Sequence, residues 1–340
     1  MPHSALPRPR PIARWLLIVA VMVFLMVIVG GITRLTESGL SMVRWEPISG
    51  TIPPLNDAQW QAEFAAYQAT PEYRKVNNGM TLAAFKGIFF WEYLHRLLGR
   101  LIGLVFALPL LWFWWRGAIP KGYGPRLVAL LALGGLQGAI GWWMVASGLI
   151  DRPDVSHLRL ATHLSAALFI FAGLIWTALD LLVLARNPSA RPARLGGLPL
   201  AAIVLLAVQI ILGALTAGLD AGFAFAEWPT MGGGLFPAGG WHQGWSWFQN
   251  LIDNPIVVQF VHRWFAWIVA LAVVMVAIRA ERTRATGFGH AALTLVVVQI
   301  GLGIATLLTG VDILIAVTHQ AVACLLLATL AATAHRLGRR

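Results

Sequence analysis

Glu92, His95, Arg96 and Arg100 lie close together in Phe89-Phe90-Trp91-Glu92-Tyr93-Leu94-His95-Arg96-Leu97-Leu98-Gly99-Arg100, at the start of a long apolar run. Ionisable groups at the edge of a membrane segment are costly and usually functional. A related stretch, Val258-Gln259-Phe260-Val261-His262-Arg263-Trp264-Phe265, opens another apolar run. Two further runs carry one histidine each, His163 in Ala161-Thr162-His163-Leu164-Ser165 and His319 in Val317-Thr318-His319-Gln320-Ala321. Two imidazoles facing each other can bind a porphyrin iron from both sides, so His95, His163, His262 and His319 read as the axial ligands of two haems. The competing use is a polar bond from each histidine to a neighbouring helix.

The two stretches differ beside the histidine. Glu92 stands three residues before His95, on nearly the same helix face, whereas Gln259 stands three before His262. A carboxylate at a haem edge can take a proton or stabilise developing positive charge; its structural alternative is pairing with Arg96 or Arg100. Each histidine is followed four residues later by a small residue (Gly99, Ala167, Ala266, Ala323), which would give a flat macrocycle clearance. Arg34, Arg74, Arg96 and Arg263 are candidates to pair with haem propionates, with lipid phosphate the competing partner. The other five histidines, His3, His157, His242, His290 and His335, fall in or beside loops and read as solvated surface.

The elements that must position these groups are membrane helices. The chain is 58% hydrophobic and 11% charged with 16 Trp, far from the balance of a soluble globule. Apolar runs long enough to span occur near 15–33, 87–113, 127–148, 160–184, 198–218, 255–279, 290–309 and 313–334. Their even spacing and Gly/Pro-marked connections favour helices over a barrel, whose strands would be short and alternating. The expected fold is therefore an all-α polytopic membrane protein with eight transmembrane helices. The first run is too long for a signal peptide and lacks a cleavage site, so it reads as a retained helix. No long transit peptide fits before it, which points to a bacterial inner membrane. Cys324 is the only cysteine, so no disulfide forms within the chain.

Of 25 Lys and Arg, 15 fall in the N-terminal tail, the alternate loops and the C-terminal tail, on one side of an eight-span chain. They are Arg8, Arg10, Arg14, Arg116, Lys121, Arg126, Arg186, Arg191, Arg194, Arg279, Arg282, Arg284, Arg336, Arg339 and Arg340. That side is expected to be cytoplasmic, with both termini on it. The net charge of +11 follows from this bias and gives no reason to expect nucleic acid. Two long segments, 34–86 and 219–254, then lie outside; in the first, Asn56-Asp57 can cap a helix with Trp60, Phe64 and Tyr67 on one face.

Internal similarity divides the chain into an N-terminal half, 1–186, a linker, 187–197, and a C-terminal half, 198–340. The segment beginning Gly31-Ile32-Thr33 resembles the one beginning Gly213-Ala214-Leu215, and Trp45-Glu46-Pro47 echoes Glu227-Trp228-Pro229. Gln137 with Gly141 matches Gln299 with Gly303, and the histidines then correspond, His95 to His262 and His163 to His319. Two repeated four-helix bundles, each with a site between its own helices, are the expected architecture.

Taken together, Glu92-Tyr93-Leu94-His95-Arg96, the preceding Met80-Thr81-Leu82-Ala83-Ala84-Phe85-Lys86, the repeated histidines and the eight spans resemble the haem A synthase family. The lysine-containing lead-in is similar to the α-proteobacterial and mitochondrial branch; the loop cysteine pairs of some bacterial relatives are absent. The resemblance implies oxidation of the C8 methyl of haem O to the formyl of haem A, by two hydroxylations to a gem-diol that loses water. It implies that His95 and His163 hold the substrate or product haem with Glu92 beside the reacting group, and that His262 and His319 hold a haem b cofactor. Implied partners are haem O, membrane lipid, the farnesyl transferase that makes haem O, and an unidentified electron donor or acceptor. Monomer and homo-oligomer are both open. The alternative function is a bis-histidine di-haem cytochrome b that only transfers electrons; a haem or quinone carrier would leave Glu92 unexplained.

Overall fold

The computed structural model describes residues 7–46, 49–150, 152–283 and 285–339. Within them the chain is helical, with no strand. The helices are α1 (Pro9–Leu35), α2 (Asp57–Gln68), α3 (Pro71–Lys75), α4 (Leu82–Trp115), α5 (Gly124–Ala146), α6 (His157–Leu184), α7 (Gly197–Gly218), α8 (Trp247–Asp253), α9 (Pro255–Glu281), α10 (Thr286–Leu308) and α11 (Ile313–Leu337). Eight of them, α1, α4, α5, α6, α7, α9, α10 and α11, are long and apolar enough to cross a membrane. Most start where sequence chemistry places a helix start. Thr81 caps α4 by accepting from the Ala84 N–H, Asn254 caps α9 ahead of Pro255, and Asp312 accepts from the Ile315 N–H of α11. The first span begins six residues before the expected Trp15, because Pro9 sits in the first turn and Ile12 and Ala13 are already buried.

α1 packs against α4, α6 and α11, and α6 against α5 and α7; α9 lies between α7 and α10, and α10 against α11. One apolar core runs through these contacts, from Leu16 and Val19 of α1 through Leu174 of α6 to Val273 of α9 and Leu330 of α11. The outward faces stay apolar. Leu108, Leu111, Trp112, Trp114 and Trp115 of α4 are exposed, the last three where an aromatic belt meets the membrane surface.

Polar ties join residues 1–186 to residues 198–340. Arg34 at the end of α1 donates to Asp220 at 2.8 Å and to the Ala217 carbonyl at 3.0 Å. Gln320 of α11 donates to the Val27 carbonyl of α1 at 2.9 Å. Two histidines expected on solvated surface are buried in such ties instead. His157 opens α6 and meets Asp253 at 2.9 Å. His335, 1% exposed near the end of α11, bonds to Asp180 of α6 at 2.9 Å, and Arg126 completes that carboxylate at 2.7 Å. Both were misplaced because their acidic partners come from other helices. His242 and His290 are exposed as expected, and His3 lies outside the described residues.

The first long loop is built on α4. The Asn56 side chain caps α2 as expected, and Phe64 and Tyr67 stack onto Phe85, with Trp60 on Phe89. This helix is therefore clamped to the first turns of α4 rather than floating at the interface. Glu72 of α3 is buried beside Tyr67, and burial pushes its carboxyl up to about 8. Burial, with that carboxyl adjacent, also pushes the Tyr67 phenol up.

The sequence repeat shifts by one residue where the chain leaves α1 and α7. Glu37 and Asp220 both adopt a left-handed φ of 51°, so Gly30, not Gly31, aligns with Gly213, and Met26 aligns with Gln209. Pro47 and Arg284 lie outside the described residues.

Candidate functional site

His262 of α9 and His319 of α11 face each other with ring centroids 6.5 Å apart and planes at 87°. A ligating imidazole nitrogen sits about 2 Å from its metal and about 1.2 Å from its own ring centre, so two axial imidazoles on one iron place their ring centres about 6.4 Å apart. The observed spacing fits a bis-histidine haem. His95 of α4 and His163 of α6 lie within electrostatic reach of each other. Among the described residues no group of three or more His, Cys, Asp and Glu could hold a metal ion, so each histidine pair offers two ligands and no more.

Each of the four rings packs against a glycine of a neighbouring span. A β-carbon added at Gly30, Gly141, Gly213 or Gly303 would lie 3.2, 2.9, 3.0 or 3.0 Å from Cε1 of His95, His163, His262 or His319 respectively. Only a residue without a side chain lets the imidazole approach so closely. Three of these glycines follow a glutamine by one turn. Gln137 Nε2 donates to the His163 carbonyl at 2.9 Å and lies 3.1 Å from its Nδ1. Gln209 treats His262 the same way, at 3.0 and 3.2 Å, whereas Gln299 Nε2 lies 3.3 Å from Nε2 of His319, whose Nδ1 is buried without a partner. Sequence reasoning found Gln137, Gln299, Gly141 and Gly303 only as repeat matches and missed Gln209. Its clearance residue Gly99 backs onto the Met26 methyl instead.

Glu92 is 3% exposed and fully engaged. One carboxylate oxygen accepts from the Ser41 hydroxyl and the Met42 N–H, both at 2.7 Å, and the other from Arg96 Nη2 at 2.6 Å. Arg96 also donates to the Met42 and Arg44 carbonyls, while Tyr93 and Arg100 hold the Thr51 and Glu46 carbonyls. One face of α4 therefore fastens the first long loop over the histidine. α9 does the same to the second loop, where Arg263 donates to the carbonyls of Phe225, Glu227 and Thr230. There the carboxylate is replaced by Gln259, whose Nε2 donates to the Phe225 carbonyl and whose Oε1 is buried without a partner.

Of the four candidate arginines, Arg34 is engaged with Asp220 and Arg96 with Glu92 and the loop. Arg74 is exposed on α3. Arg263 keeps one buried donor, Nε, without a partner, and so does the indole of neighbouring Trp264.

Comparison with known proteins follows the same features over the whole chain. The family model COX15-CtaA, described as a cytochrome oxidase assembly protein, matches residues 13–331. The chain belongs to the COX15-CtaA family. Relatives named heme A synthase come from Rhizorhabdus wittichii, 60% identical over 99% of this chain and 97% of the relative, and Sphingopyxis alaskensis, 53% identical over 98% and 94%. A third, from Novosphingobium aromaticivorans, is 52% identical over 97% and 95%. The COX15-CtaA match runs from within α1 into α11, so it includes His95, His163, His262 and His319 with the glutamines and glycines that meet them.

Proposed function

We propose that this protein is a haem A synthase, an oxidoreductase that converts the C8 methyl of haem O to the formyl of haem A. The observation that carries this reading is the buried Glu92 carboxylate one turn from His95, where the other half places Gln259 beside His262. A protein that only passes electrons between two haems has no use for that difference. Full-length similarity to heme A synthases supports the same reading.

In this proposal residues 1–186 and 198–340 form two four-helix halves, joined by 187–197. His95 and His163 hold haem O and its product; His262 and His319 hold haem b, supported by their 6.5 Å ring spacing. Bound there, haem b supplies one-electron redox chemistry close to the substrate site. The protein's own residues do the rest. Ser41, the Met42 N–H and Arg96 hold and aim the Glu92 carboxylate, so that it can take a proton or stabilise positive charge developing at the reacting carbon. The loop fastened by Arg96, Arg100 and Tyr93 shields that group from water. Arg263 and Trp264, with unpartnered buried donors, are the best-supported propionate partners; Arg74 is free to serve from the loop, while Arg34 and Arg96 act chiefly in positioning.

The arginine-rich ends are cytoplasmic, the long loops lie outside, and the membrane is the bacterial inner membrane. The substrate comes from a haem O-forming farnesyl transferase, and the electron partner is a separate protein or quinone. Pigment extraction tests the function. The purified protein should yield haem b together with haem O or haem A. Haem b alone, from cells that make haem O, would replace this reading with a di-haem electron carrier.

A further inference from the structure

Three of the four histidines are held by a glutamine as well as a glycine, and one is not. Gln137, Gln209 and Gln299 each stand one turn before the glycine that meets His163, His262 and His319. One turn before Gly30 the residue is Met26. Its side chain points to the expected place, since a β-carbon on Gly99, one turn beyond His95 on α4, would lie 3.2 Å from the Met26 methyl. A thioether has no hydrogen to donate. Among the described residues no hydrogen bond reaches the His95 ring, so packing, including that against Gly30, restrains it.

We infer that the glutamines at 137, 209 and 299 lock their histidines as lasting ligands, and that Met26 leaves His95 the ligand that lets go when haem enters and leaves. The inference rests on the ligation proposed above and adds which ligand is labile and which residue decides it. A haem-bound histidine carries its hydrogen on the ring nitrogen away from the iron, and the buried, unpartnered Oε1 of each glutamine can accept it once the amide turns over, which fixes the imidazole's orientation. Rotating such a ring off the iron breaks that bond as well. A cofactor that stays needs a glutamine at both ligands, and the C-terminal pair has one at each, Gln209 on the carbonyl and Nδ1 of His262 and Gln299 on Nε2 of His319. A substrate that must be exchanged needs one ligand without it. The N-terminal pair has Gln137 on His163 and nothing equivalent on His95. The gap falls on the helix that also carries Glu92, so the labile ligand and the reactive carboxylate lie on the same side of the site.

The test is haem transfer from the purified full-length protein in nanodiscs to excess apomyoglobin, followed by absorbance. The wild type should release haem in a fast and a slow phase. Met26→Gln should slow the fast phase about fivefold or more, the effect of one added net hydrogen bond, while Met26→Leu should release haem as the wild type does. Gln209→Met should speed the slow phase by a similar factor, and it decides the matter if Met26→Gln fails to fold. An unchanged fast phase in folded Met26→Gln, or an unchanged slow phase in Gln209→Met, overturns the inference. His95→Ala and His262→Ala separate this from failure of the ligation itself. If neither removes haem, the ligation is wrong; if both do and the glutamine variants change nothing, only the lock is wrong.

Discussion

Glu92 and Arg96, one turn apart on α4, are joined at 2.6 Å, yet the same carboxylate is also held by Ser41 and the Met42 N–H from the loop above it. Pairing with arginine and the proposed place in the chemistry are thus compatible, since the same contacts fix where the carboxylate points. Glu92→Gln should keep the fold, because Gln259 already occupies the equivalent place. It should lose haem A formation by a factor of about a hundred or more, in line with removal of an acid–base group. Haem chromatography from cells with matched protein levels should show haem O accumulating and haem b retained. Wild-type haem A yield would return Glu92 to a purely structural role.

The 6.5 Å spacing of His262 and His319 leads to a second expectation. If these two hold haem b as proposed, replacing either with Ala removes one of its two axial ligands, so the low-spin haem b spectrum should be lost or converted to a high-spin form. Low-spin absorption and haem content equal to wild type in both variants would end the assignment.

The glycines facing the rings can be tested against glycines that face nothing. A β-carbon at Gly303 would sit 3.0 Å from His319 Cε1, whereas one at Gly301, on the same helix, meets nothing within 4 Å. Gly301→Ala should be neutral or stabilise slightly, by up to about 1 kcal/mol. Gly303→Ala gains the same helix propensity but must displace the imidazole. Its haem spectrum should shift and its haem content fall while the helical circular dichroism is kept. Matching haem spectra in the two variants would show that the ring does not depend on the close approach.

The parts legible from sequence were those carried by residue type within long runs. Eight spans follow from apolar length, and His95, His163, His262 and His319 from being ionisable inside those spans. Their surroundings were not legible. Glycine is common in membrane helices, so Gly30 gave no signal, and Gly213 only a repeat match, until a neighbouring helix brought an imidazole against them. Gln209 was hidden by a repeat register off by one, which the shared left-handed φ of Glu37 and Asp220 corrects. His335 looked solvated because its partner Asp180 lies on another helix, brought near only by the fold.

Glu72 supplies a prediction independent of haem. Its carboxyl is buried under α2 beside Tyr67, with Asn77 bonded to the same phenol and the charges of Glu92, Glu37 and Asp154 acting on it from nearby. Burial raises its pKa from the ordinary 4.5 to about 8, so between those values the folded loop keeps a proton that the opened loop releases. Stability of the folded loop therefore falls as pH rises across that window and levels off above about 8, since the closed form binds more protons than the open one. Hydrogen-exchange protection of the amides of α2 and α3, corrected for intrinsic exchange, should decline from pH 5 to pH 8 while that of α6 stays constant. Glu72→Gln keeps the shape without the titration and should flatten the decline. Protection that is constant with pH in the wild type, or that declines equally in Glu72→Gln, would mean that this carboxyl does not hold its proton in the folded loop.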